Sequence, residues 1–170
     1  MLCFADMPFP QPVGEIFMRL VLLCFVVAFM AMPARAENPT PYSGTKVIDT
    51  GKPFDAYVEK LTAAITANKM GIVSNACATC GAKNIGVTIP GNRVLMIFNP
   101  HFAVRMLKAS EAAGIEAPLR LYVTEQPNGK ARLTYRRPSH VFGAYKVAAL
   151  DEMGKELDII VEKIVGDAVK

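Results

Sequence analysis

Hydrophobic and polar positions along this chain recur with a period that switches repeatedly between two, as in strands, and about 3.6, as in helices. "TKVID" (Thr45–Asp49) alternates and reads as a strand. Pro53 suits the first position of a helix, where its missing N–H costs nothing. Phe54, Val58, Leu61 and Ile65 then fall on one helical face, and Asn68-Lys69 ends it. "MGIVSNA" reads as a second strand, followed by a loop that carries two cysteines. "NIGVTIPGN" is glycine-rich and closes at a Pro-Gly turn.

"RVLMIF" (Arg93–Phe98) is an unbroken apolar run, which predicts a central strand buried on both faces. Asn99-Pro100 is a helix start, with Asn as N-cap and Pro at the first helical position. Phe102, Met106 and Ala109 share one face of that helix, and Gly114 is expected to stop it. "APLRLYVTEQPNGKARLTYRRP" is a hairpin. A two-residue Asn-Gly turn would set Leu opposite Arg throughout. A three-residue loop, Pro127-Asn128-Gly129, instead sets Leu121 opposite Tyr135 on a core face and Arg120 opposite Arg136 on the other. "SHVFGAY" after Pro138 reads as a short helical turn. Leu150, Met153, Leu157, Ile160, Val161 and Ile164 line one face of a last helix. This order predicts an α+β fold: a two-layer domain, mostly antiparallel sheet with helices packed on one face.

Ahead of this domain the pattern is different. Arg19 precedes an apolar run of 13 residues, Leu20–Met32, and Ala34-Arg35-Ala36 has the small-x-small form of a signal-peptidase site. A spanning helix needs about 20 apolar residues, and Pro33 ends this run. Residues 1–36 are therefore read as a signal peptide and 37–44, "ENPTPYSG", as a polar tether to a domain at 45–170. Residues 1–17 hold Asp6, Glu15 and three prolines but no Lys or Arg, which points to Met18 as the true start. The placement that follows is periplasmic or secreted. The alternative is an inner-membrane anchor at 19–32, with membrane contact only through that uncleaved leader.

Residues 37–170 carry 17 Lys+Arg and 13 Asp+Glu, a net +4 that is modest and gives no sign of nucleic-acid binding. With no Trp, aliphatic residues, Phe and Tyr must fill the core.

"FNPHFAVRMLKASEAAGIEAPLRLYVTE" and "LTYRRPSHVF" resemble the domain of unknown function 302 family, and "GTKVIDTGKPFDAYVEKLTAAITANKMGI" is similar to that family's first strand, helix and strand. The resemblance covers about Gly44 to Gly166. It implies a compact α+β domain, often a homodimer, with no established enzymatic activity. Many members carry an Asp-His pair before the Gly-Ala of "CGAK"; this chain has Cys77-Ala78-Thr79-Cys80 there and lacks the histidine.

Three readings of Cys77 and Cys80 stand side by side. The first is a structural disulfide, since exported thiols meet oxidants. The second is a redox pair, with Lys83 near enough to favour a thiolate. The third is a metal site. Zinc would need four ligands, drawing on His101 and His140, whereas Cu(I) accepts two thiolates, with Met70 nearby in sequence. His101 and His140 otherwise read as solvated or capping residues. No Ser-His-Asp spacing, phosphate loop or paired acidic motif is visible, so the chain reads as a non-catalytic binding domain. Thiol chemistry and a structural envelope role are the alternatives. The facing Arg120 and Arg136, with Arg132, Arg137 and Arg105 near in sequence, form an anion-binding candidate, because like charges across a strand pair repel unless compensated. If export strips the leader, the intact mass of the protein from its native compartment should correspond to a chain beginning at Glu37; a full-length mass from the cytosol would contradict it.

Overall fold

A computed structural model describes residues 42–170; the leader, the Met18 start and most of the tether lie outside the described residues. Five strands form one antiparallel sheet in the order β1-β5-β4-β3-β2. They are β1 (Thr45–Pro53), β2 (Gly71–Cys77), β3 (Asn92–Phe98), β4 (Leu119–Glu125) and β5 (Lys130–Arg136). The helices are α1 (Phe54–Ala67), α2 (Ala78–Asn84), α3 (Pro100–Ala109), α4 (Pro138–Gly143) and α5 (Ala148–Val169). A 3-10 turn at Glu111–Glu116 follows α3. Among the described residues no helix is long and apolar enough to cross a membrane.

One face of the sheet is the floor of the core. Leu95, Ile97, Leu121, Val123, Leu133 and Tyr135 project from it against Tyr57, Leu61 and Ile65 of α1 and Val161, Ile164 and Ala168 of α5. A second cluster gathers Met106, Phe142, Leu150, Met153 and Leu157 from α3, α4 and α5. Each fully buried aliphatic or aromatic side chain contributes roughly 1.5–3 kcal/mol, so these two clusters carry the domain. Tyr57 is fully buried, and among the described residues its hydroxyl has no hydrogen-bond partner. Burial first, and then the neighbouring Tyr135, push that phenol above its ordinary value.

The hairpin follows the expected register. Leu121 faces Tyr135 and Val123 faces Leu133. The loop is Pro127-Asn128-Gly129, closed by Gln126 N–H to Lys130 O at 2.8 Å, with Gly129 at φ 73 as the bulge position demands.

Four local expectations are corrected. β1 runs on to Pro53, which pairs with Lys130, so Pro53 is the N-cap of α1 and not its first residue. Phe54 N–H reaches Gly129 O at 3.2 Å, and the chain passes from strand to helix with no loop. β3 is an interior strand, paired with β4 and β2, but it is not buried on both faces: only Leu95 and Ile97 are buried. Val94 and Met96 face the other side, half-buried among open-face neighbours, which hides the alternation in sequence. Helix α3 ends at Ala109, before Gly114, which lies inside the 3-10 turn. Finally, the cysteines do not sit in a loop, because α2 begins directly after Cys77. Asn99 caps α3 as expected, accepting from His101 N–H at 2.9 Å, with Pro100 in the first turn.

Two contacts tie α5 to its neighbours. A Cβ at Gly154 would stand 2.9 Å from Ser139 Cα and 3.1 Å from Pro138 O, so α4 and α5 touch backbone to backbone there. At the other end Asp167 receives Lys170 at 2.8 Å, Lys163 at 2.9 Å and Asn68 Nδ2 at 3.1 Å. Asn68 also caps α1 through Ala64 O at 2.8 Å. These donors, Lys170 foremost and then Lys163 and Asn68, hold the Asp167 carboxyl well below the usual carboxylate range.

Gly154→Ala is expected to destabilise the protein by about 1 kcal/mol in urea unfolding. Overpacking costs about 1–3 kcal/mol and outweighs alanine's helix preference of roughly 1 kcal/mol. Gly166→Ala, on the same helix with nothing within 4 Å of its Cβ, should stabilise by about 0.5–1 kcal/mol. For Asp167 the folded pKa is depressed, so its contribution is complete above the unfolded value of about 3.9 and is lost as pH falls through the folded value. The melting temperature of Asp167→Asn should accordingly lie below wild type from pH 7 to 5, and the gap should close as the solution is taken below about pH 4. A gap independent of pH would contradict the charge assignment.

Candidate functional site

The two sequence-selected features fall on different parts of the sheet. Cys77 ends β2, an edge strand, and caps α2; Cys80 lies in the first turn of α2. Their sulfurs are 1.96 Å apart, at bonding distance, with the Cα atoms at 5.2 Å. Cys77 Sγ accepts from Cys80 N–H at 2.9 Å. Cys80 is exposed and Cys77 half-buried. Pairing of β2 with β3 sets Cys77 opposite Arg93, and Arg93 Nη1 donates to Cys80 Sγ at 3.1 Å. Thr79 fastens the turn independently of the sulfurs: its hydroxyl donates to Pro90 O at 3.1 Å and accepts from Asn92 N–H at 2.8 Å. No residue of α2 is buried.

This arrangement bears on the three readings. A bridge across so short a loop contributes about 2 kcal/mol by chain entropy, the low end of the range. It links the last residue of β2 to the next helical turn and anchors neither to the core. For metal, the fit is poor. Among the described residues no group of three or more His, Cys, Asp or Glu gathers where it could hold an ion. His101 is exposed in the first turn of α3, and His140 on α4 is 3.4 Å from Ser43 Oγ. Neither joins the cysteines to make up the four ligands of a zinc site. Met70 is buried at the opposite end of β2, roughly 23 Å from Cys77 at about 3.3 Å per residue. Its nearness in sequence is not nearness in space, and a Cu(I) site would rest on two reduced thiolates alone.

The second feature is the face of the sheet away from the core. The pairings lay Val47, Thr134, Tyr122, Val94 and Ala76 in one row across it. The next row holds Thr45, Arg136, Arg120, Met96 and Ser74, with Arg120 and Arg136 opposite one another when the hairpin register continues one step beyond Leu121–Tyr135. Both arginines are exposed, and among the described residues neither has an ion pair. The described core clusters draw only on the opposite face. Tyr122 is 36% exposed and accepts from Asn92 Nδ2 at 2.7 Å.

Arg132 stands apart from this pair. It is four residues from Arg136 along β5, roughly 13 Å, and its Nε donates to Asp49 at 2.7 Å. That bond lowers the Asp49 pKa and raises that of Arg132. The two line an open depression at the hairpin end with Gly51, Gln126, Asn128 and Lys130. Arg105 belongs to the helical layer, where Nη1 and Nη2 meet both oxygens of Glu156 at 2.6 and 2.8 Å. Arg93, Thr79 and Asn92 were not singled out from sequence. Their part depends on the β2–β3 register, which no local pattern declares.

The sequence profile described as "Domain of unknown function DUF302" matches residues 46–164. This chain belongs to the DUF302 family. A crystal structure of an uncharacterized conserved DUF302 protein from Bacillus stearothermophilus is similar in fold, with a TM-score of 0.67 and 18% sequence identity. The match covers 75% of this chain and 99% of that one. No curated protein matches. Both the cysteine turn and the arginine rows lie within the stretch matched to DUF302.

Proposed function

We propose that this DUF302 protein is an exported, non-catalytic binding module that takes a small anionic ligand on the open face of its sheet and works as a homodimer. The observation that carries the reading is the Arg120–Arg136 juxtaposition. Continued one step past Leu121–Tyr135, the β4–β5 register sets Arg120 across from Arg136, and neither has a carboxylate partner among the described residues. Like charges directly across a strand pair are unfavourable, and a shared anion relieves that repulsion. Guanidinium presents donors in a planar fork suited to carboxylate, phosphate or sulfate. Thr134 and Tyr122, one row along, add hydroxyl groups beside the charges. Asp49, on the same face, is engaged by Arg132 at the far end of β5. Export rests on the leader at residues 18–36, and the homodimer on the family resemblance.

Inorganic phosphate, sulfate and a simple dicarboxylate should bind wild type in calorimetry. Replacing Arg120 and Arg136 together by Gln should weaken that binding roughly tenfold or more, the scale of lost charge-assisted contacts, while the far-UV circular dichroism stays unchanged. Binding of equal strength in the double variant removes the site. Sedimentation of the same sample at twice the chain mass is the result that fits the paired state.

A further inference from the structure

The cysteine turn carries a reading independent of the sheet face. We propose that Cys77 and Cys80 form an exchangeable disulfide that oxidises the thiols of a protein or small-molecule dithiol, with Cys80 as the sulfur that meets the partner and Arg93 as the group that stabilises its thiolate.

Three observations converge. Accessibility singles out Cys80: it is exposed on an exposed helix, whereas Cys77 is half-buried at the end of β2. A nucleophile must approach a disulfide along the S–S axis, so the sulfur open to solvent is the one attacked. Charge is placed for the products. The Arg93 guanidinium is 3.1 Å from Cys80 Sγ, and the Cys80 backbone N–H is 2.9 Å from Cys77 Sγ. A disulfide sulfur is a weak acceptor and a thiolate a strong one, so both contacts tighten when the bridge opens. Lastly, the turn keeps its shape without the bridge. Thr79 holds α2 to Pro90 and Asn92, and β2–β3 pairing holds Cys77 beside Arg93. Opening the S–S bond leaves those contacts in place, so the reduced pair stays poised to close again.

The exchange balances as follows. A partner thiolate attacks Cys80 Sγ; the Cys80–Cys77 bond breaks, and Cys77 leaves as a thiolate facing the Cys80 N–H. The partner's second thiol, deprotonated, attacks its own sulfur in the mixed disulfide, and Cys80 leaves as a thiolate facing Arg93. Two electrons pass to this protein and the partner departs as a disulfide, its two protons going to solvent or to the new thiolates. Stabilising the thiolates favours the reduced form and makes the bridge more oxidising. The charged groups around the site are consistent with this. Arg93 on β3 and Lys83 on α2 are cationic, and β2 offers no titratable group besides Cys77. Glu125 of β4 directs Oε2 to Gly91 N–H at 2.7 Å.

The test equilibrates the full chain with graded mixtures of reduced and oxidised glutathione. Alkylation and peptide mass spectrometry then read the state of the Cys77–Cys80 peptide. The bridge is expected to open within the glutathione range, and reduced Cys80 to alkylate at lower pH than Cys77. Arg93→Gln should move the equilibrium toward the bridged form by about threefold to tenfold, as the loss of one charge-assisted contact to a thiolate implies. Arg93→Lys should recover most of the shift, with circular dichroism confirming that each variant folds. A bridge that resists glutathione and yields only to a strong phosphine, equally in wild type and Arg93→Gln, overturns the proposal in favour of a structural staple. A reduced pair that captures Cu(I) but fails to exchange with glutathione overturns it as well. Loss of anion binding in the Arg120/Arg136 variant leaves the exchange untouched, so the two sites fail separately.

Discussion

A sheet buried on one face only imposes a period-two rule on every strand, and a slip of one residue in any pairing would invert it. The β4–β5 register is where this rule is set. Leu121 and Val123 of β4 meet Tyr135 and Leu133 of β5 on the side where α1 and α5 pack. The partners of β4 and β5 inherit that alignment: β3 sets Leu95 opposite Leu121, and β1 sets Ile48 opposite Leu133. The three-residue loop at Pro127–Gly129 allows this register, and a two-residue turn would have driven Arg120 or Arg132 into the core.

The same constraint produces both candidate sites. Because the odd positions of β4 and β5 face the helices, their even positions and the basic residues among them are directed to the other side. Arg120 and Arg136 lie next along the register that buries Leu121 and Tyr135. At the sheet's far edge, β2 pairs with β3 across a bulge between Ile72 and Ser74, and that offset sets Cys77 opposite Arg93. A bulge re-aims the residues that follow it. Without it the strand's last residue would meet a different neighbour on β3.

The charged contacts elsewhere hold elements in place more than they stabilise the fold. The Arg105–Glu156 pair has ideal bidentate geometry, but its side chains are about half exposed, and exposed pairs contribute little. Its effect is to orient α3 against α5, with the Arg105 guanidinium also stacked 5.4 Å above Phe102. The Asp167 cluster likewise ties the end of α5 to the cap of α1 through Asn68.

Elements with a single strong period were legible residue by residue. The last helix, the N-cap at Asn99 and the hairpin register all follow from local pattern and turn chemistry, because the buried face of each differs sharply from its exposed face. β3 was misjudged for the converse reason: Val94 and Met96 are apolar on the open face too, so its two faces read alike. Tyr57 was overlooked on α1, since an amphipathic residue does not declare which way it points. By itself the sequence determined the α+β class, the hairpin register that sets Leu121 opposite Tyr135, and the choice of Cys77 and Cys80 as the chemically distinctive pair. All of these depend on residues close together in the chain. Only the tertiary structure decided that Arg93 serves Cys80, that Arg132 belongs to Asp49, that Arg105 lies in the helical layer and that Met70 is remote from the cysteines. Each of those depends on which strands are neighbours and in what register, a property of the packed sheet that no local stretch of chain contains.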